Sequence, residues 1–245
     1  MVHASGAASA ERRDDRPTPV SATDAAPTLG AEALAFYPCG GVGGLSTAPV
    51  ATENAGSAIV VWVGRGKLGA FSVATNPTDN KRNRYELLGS VQNYAPLWPN
   101  SGAAVCASPS AAGGAGHVFT APMPAADEIT LAAVEIKNGG VIQDYKWSKA
   151  LAGQAQTSLS VTTTGPATLI AIWTGDSDGD ATGHVMAVPD NGFRTINSQT
   201  YAKCGVEVVT AAKDVAAPGS YDVTWTATPV QGANLWLIAV QKAAR

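Results

Sequence analysis

Hydrophobic and polar residues alternate along much of this chain with a period of two. Ile129, Leu131 and Ala133 point one way, and Thr130 and Ala132 the other. Leu235, Leu237 and Ala239 repeat the pattern, Val223 and Trp225 share a face between Asp222, Thr224 and Thr226, and Val206 and Val208 flank Glu207. Two runs are continuously apolar instead, AIVVWVG at 58–64 and TLIAIWTG at 168–175. Each predicts a central strand buried on both faces. Breakers recur at strand-length intervals: Asn76-Pro77, Pro99-Asn100, Gly113-Gly114, Pro189-Asp190-Asn191-Gly192 and Pro218-Gly219. That rhythm predicts an all-β sandwich or jelly roll. The one helix candidate is KWSKALAGQAQ at 146–156.

The pattern also repeats on a larger scale. Both apolar runs end in Trp-x-Gly, at Trp62 and Trp173, and each follows a Thr/Ser-rich stretch, 46–56 and 157–166. Downstream, 117–137 resembles 221–242: an alternating strand, a Pro-containing turn, then a second alternating strand. Similar order and spacing in both halves predict two related modules. The expected layout is a disordered N-terminal arm at 1–30, a β-sandwich at 31–138, a linker at 139–152 and a second β-sandwich at 153–245. The fold class is thus all-β: two tandem jelly-roll-like antiparallel β-sandwiches, able to pack face to face as a pseudo-dimer.

Composition narrows the functions. The 245 residues are 45% hydrophobic, enough for a sizeable core, and only 14% charged, with 26 Gly and 15 Pro. A net charge of −3 and the lack of a basic stripe argue against nucleic acid as a partner; the densest basic spot is Lys81, Arg82 and Arg84. No run is long and apolar enough for membrane insertion or for a signal peptide, so synthesis in the cytoplasm is expected. Cys39, Cys106 and Cys204 form no metal-ligand spacing, allow at most one internal disulfide, and read as small buried hydrophobes.

Two polar strings carry a resemblance. Asp79, Asn80, Asn83 and Tyr85 form an Asp-Asn-x-x-Asn-x-Tyr turn, and Gly113, Gly114, His117 and Thr120 form Gly-Gly-x-x-His-x-x-Thr. Together they resemble a jelly-roll module of bacterial surface proteins and bacteriophage structural proteins. The second half keeps the outline, at Asp190-Asn191-Gly192-Phe193 and Pro218-Gly219-Ser220-Tyr221, without the polar signature. The resemblance implies a fold and a structural turn role for His117, and brings no shared chemistry with it.

The constellations that could carry chemistry are few. The histidines are His3, His117 and His184, and no Gly-x-Ser-x-Gly elbow accompanies them, which argues against a nucleophilic triad. A sandwich-fold glycosidase would need two carboxylates facing one sugar bond, whereas most carboxylates here fall in expected turns. Asp176, Asp178 and Asp180 alternate in GDSDGDATGH, as hard oxygen ligands for Ca²⁺ would. Position 187 is Ala where an EF-hand loop has its bidentate Glu, so an acidic hairpin is the competing reading. Tyr94, Trp98, Tyr145 and Trp147 are the candidate ligand-binding aromatics, while Trp62, Trp173, Trp225 and Trp236 sit in strand patterns as core. The expectation is a non-catalytic structural or adhesive protein. Its leading form is a phage virion component, a capsid decoration or tail protein, with capsid, tail or self subunits as partners and a virion or extracellular location. The alternative is a carbohydrate-binding module or lectin that meets surface glycans through its aromatics.

Overall fold

The structure is a computed structural model that describes residues 1, 25–37, 44–66, 76–94, 98–122, 128–150, 155–176, 187–200, 206–226 and 233–243. The first half contributes β1 (Thr28–Tyr37), β2 (Leu45–Ser46), β3 (Ser57–Arg65), β4 (Thr78–Asp79), β5 (Glu86–Leu87), β6 (Gln92–Tyr94), β7 (Trp98–Ala111), β8 (Phe119–Ala121) and β9 (Ile129–Lys137). The second contributes β10 (Val141–Ala150), β11 (Gln156–Thr157), β12 (Val161–Thr163), β13 (Ala167–Asp176), β14 (Val188–Pro189), β15 (Arg194–Gln199), β16 (Val206–Val215), β17 (Gly219–Tyr221), β18 (Thr224–Thr226) and β19 (Ala233–Gln241).

Two large antiparallel sheets run in the orders β1-β9-β3-β7-β5, with β6 also on β7, and β10-β19-β13-β16-β15. The orders correspond. In each, the first strand of its half is an edge, the last strand lies beside it, and the continuously apolar strand is central. The small sheets correspond too, β2-β8-β4 against β11-β18-β14, with a further pair β12-β17.

Alternation assigns the faces. From β3, Ala58, Val60 and Trp62 enter one core with Ile170, Ile172, Val208, Trp236 and Ile238 of the other half. Ile59, Val61 and Val63 enter a second core under β2-β8-β4, with Phe119, Ile129 and Leu131. Leu169, Trp173, Val223, Trp225 and Leu235 build a third core on the outer face of the second large sheet. The molecule is therefore layered, small sheet, large sheet, large sheet, small sheet, with the large sheets face to face. This explains why every residue of β3 and of β19 is buried. The contact is reciprocal at its margins: β1 lies beside β15, where Asn197 Nδ2 donates to Glu32 Oε2 at 3.4 Å, and β10 lies beside β6 and β7, where Lys149 Nζ donates to Asn93 Oδ1.

Three expectations need correction. The helix candidate at 146–156 is strand over 146–150: Tyr145, Trp147 and Lys149 pair with Ile238, Trp236 and Asn234 along the edge of the second sheet. Its alternation of inward and outward residues, closed by an available partner in β19, outweighs the weak helical spacing. The same strand occupies most of the expected linker. Pro99-Asn100 does not break the chain but opens β7, where a proline at a strand's beginning sacrifices little pairing.

The Trp-x-Gly match is local, not a register match. Trp62 stands in the central core and Trp173 in the outer one. Counting from the paired starts Ser57↔Lys137 and Ala167↔Gln241, Trp62 corresponds to Ile172. A one-residue offset in a strand reverses the face.

Candidate functional site

Asp79, Asn83, Tyr85 and His117 of the resemblance motif converge in one largely buried cluster, whereas Thr120 pairs with the Ser46 hydroxyl at the surface. After β4 the chain turns through Arg82 at φ 65, which brings Asn83 and Tyr85 back over Asp79. Asp79 Oδ1 accepts from the amides of Lys81 at 2.9 Å and Asn83 at 3.1 Å. Its Oδ2 accepts from Asn83 Nδ2 and from the Tyr85 hydroxyl, both at 2.7 Å, and lies 3.0 Å from His117 Nε2. His117 is fully buried beside Phe119, and its Nδ1 is 2.9 Å from Thr52 Oγ1.

This turn clamps the 112–118 loop. Asn83 exchanges bonds with Ala112, Asn80 donates to Gly116 O and accepts from Val118 N, and Lys81 Nζ reaches Ala115 O. Gly114 N donates to Thr52 Oγ1, and a Cβ at Gly113 would run into the Glu53 carbonyl. Burial works to raise the Asp79 carboxyl. The bonds from Tyr85 and Asn83 and the His117 interaction outweigh it, leaving Asp79 below its ordinary 3.8. Tyr85 moves up from its ordinary 10.0, first through burial and then through the Asp79 bond and charge. The side chains hold one another and tie the 79–85 turn to the 112–118 loop.

The second half keeps a smaller version. Asp190 N donates to Thr224 O, and Thr224 N donates to Asp190 Oδ1 at 2.7 Å, much as Asn80 pairs with Val118. The turn residues Asn191 and Gly192 take φ 54 and 79.

Of the further buried ionic groups, Glu135 and Arg65 were not singled out by the sequence. Glu135 accepts from Ala31 N, Glu53 N and the Ser57 hydroxyl, so its carboxylate satisfies the Ala31 amide freed at the β1 bulge and ties it to the chain entering β3. Arg65 is fully buried at the end of β3; Nε donates to Gly66 O, and among the described residues its two terminal nitrogens have no hydrogen-bond partner. Desolvation lowers its pKa. Both stand out as charges set within apolar runs, LAAVEI and VVWVGRG. Among the described residues no acidic group pairs with this guanidinium, and a buried charge so placed destabilises, so Arg65→Met is expected to raise stability by on the order of 1 kcal/mol. Urea denaturation checks this; a lower midpoint would mean the charge has a counter-ion.

The candidate aromatics fall into two places. Tyr94 and Trp98 are paired backbone positions of β6 and β7, and Trp98 begins its strand. Tyr145 and Trp147 lie on one face of β10 beside the turn at Gly89: from where a Cβ would stand there, Trp147 Nε1 is 2.9 Å and Tyr145 Cε2 3.5 Å away. Tyr145 is 37% exposed, and Trp147 packs half-buried against the central core. Of the acidic triplet, Asp176 ends β13 opposite Val206, and Asp178 and Asp180 lie outside the described residues. Cys106 is a buried free thiol, pushed up to about 12 by burial, while Cys39, Cys204, His184 and residues 2–24 of the expected arm lie outside the described residues, and the arm's last three residues, 28–30, instead begin β1. Comparison with family models, curated proteins and solved structures gives no match.

Proposed function

We propose that this chain is a non-catalytic structural protein that acts through protein–protein contacts, with a capsid decoration or tail component of a phage virion as its leading form. The observation that carries this reading is the Asp79 cluster. The polar residues that resemble the surface and virion module are spent on fixing two turns against each other, which suits a rigid building block. The corresponding strand orders of the two halves support descent from one duplicated unit. Sedimentation of the full chain, read with the identity of the neighbouring genes, tests it. Self-assembly beside capsid and tail genes supports the role, and a monomer beside sugar-metabolism genes removes it.

One observation favours a second reading, a carbohydrate-binding module: Tyr145 and Trp147 share a partly exposed face. Tyr145→Ala is then expected to abolish glycan-array signal while changing stability by no more than about 0.5 kcal/mol. An array on which wild type and variant give the same profile ends this reading.

A further inference from the structure

The two large sheets have four edges, and they are not guarded alike. A free strand edge invites another strand unless charge, bulges, proline or brevity prevents it. β5 and β6 are two and three residues long. β10 has a register shift between Ile142 and Asp144 and carries Lys146 and Lys149. β15 has a register shift between Thr195 and Asn197 and consists of Arg194 and polar side chains around one isoleucine.

β1 differs. Its irregularity lies between Leu29 and Glu32, and beyond it Ala33 to Tyr37 pair regularly with β9 without a charged residue. Among the described residues no strand pairs with its outer side. Phe36 and Tyr37, at its end, are 40% and 42% exposed.

We propose that the outer edge of β1 is a docking site for the β1 edge of a second copy of this chain. The inference rests on the assembly role above and names its contact. An antiparallel strand added to itself obeys a two-fold axis, so the run must complement its own reverse. Directly opposite residues must also share a sheet face, which excludes axes between residues. An axis through Ala35 satisfies both. Phe36 then meets the partner's Leu34 on the face of the central core, where Leu34 already packs. Tyr37 meets the small Ala33 on the other face, where Ala33 and Ala35 pack. Glu32 stays outside the paired run, so neither like charges nor the bulge fall within it. An axis shifted towards Glu32 would bring both into the contact.

The test is analytical ultracentrifugation of the full chain over a concentration series, with a Phe36→Lys/Tyr37→Lys double variant. Like charges at the joined edges are expected to weaken the dimer by about a hundredfold. Because both side chains are exposed, thermal unfolding of the isolated chain should barely change. Ala35→Cys should give a disulfide-linked dimer under oxidation, since two-fold-related residues at the axis lie within disulfide reach. Ala33→Cys, displaced from the axis, should not. Assembly of unchanged strength in the lysine variant would overturn this edge and leave the assembly role standing. A wild-type monomer at every concentration would overturn the edge as well, and the neighbouring genes would then decide the role.

Discussion

Asp79→Ala is expected to lower folding stability by about 3–5 kcal/mol, because it removes the acceptor at the centre of a buried network. The Asn83 amide, the Tyr85 hydroxyl and His117 Nε2 all converge on its Oδ2, and the Lys81 and Asn83 amides on Oδ1. Tyr85 and His117 are buried, so their donors would be left without a partner, while the part-exposed Lys81 and Asn83 groups would lose the bonds that shape the turn. Tyr85→Phe removes a single bond and should cost only about 1 kcal/mol. The pH dependence carries a sign. Asp79 is held below its ordinary 3.8, so its contribution is fully present above that pH and is lost as pH falls through the lower folded-state value. Tyr85 is raised above its ordinary 10.0, so its contribution is present below pH 10.0 and is lost as pH rises beyond it. Urea titrations at stepped pH should show an acid limb that is shallower in Asp79→Ala and an alkaline limb that is shallower in Tyr85→Phe. Unchanged limbs in both variants would contradict the assigned network.

What the sequence made legible follows from how locally each feature is written. Alternation at 129–133 and 235–239 put each side chain on its observed face, because strand period depends only on neighbouring residues. The apolar runs at 58–64 and 168–175 became the central strands, since burial on both faces leaves no polar positions. β10 was hidden for the opposite reason. As an edge strand it keeps Asp144, Lys146 and Lys149, and that mixed pattern reads as linker or helix until β19 is seen to pair with it. The Asp79 cluster was visible as two motifs, yet the contact between residues 79–85 and 112–118 is closed by the sheet β2-β8-β4 and not by sequence proximity. Thr52 joins it through a third loop that had no signal of its own. The Trp-x-Gly match misled by one residue, because identical letters say nothing about which face of the sheet the tryptophan takes.

That offset has a measurable consequence. Trp62 is fully buried between the large sheets, and its ring lies over Gly64, where a Cβ would overlap both the ring and Val206 Cγ1 from the opposite half. Trp62→Ala is expected to cost about 3–5 kcal/mol, since the void would lie between two layers that are both fixed by their own hydrogen-bonded strands. Gly64→Ala overpacks the same place and should cost about 1–3 kcal/mol. The two changes share one volume, so the double variant should lose less than the sum of the single losses, and Val206→Ala should recover part of the Gly64→Ala loss. Gly175 gives the control. Its missing Cβ would approach only the Trp173 ring, at 2.7 Å, within the outer core of the second half. Gly175→Ala should therefore be insensitive to Val206→Ala. Denaturation of these six variants compares the faces directly. If Val206→Ala rescued Gly175→Ala and not Gly64→Ala, the two tryptophans would have exchanged places and the face-to-face packing of the large sheets would be wrong.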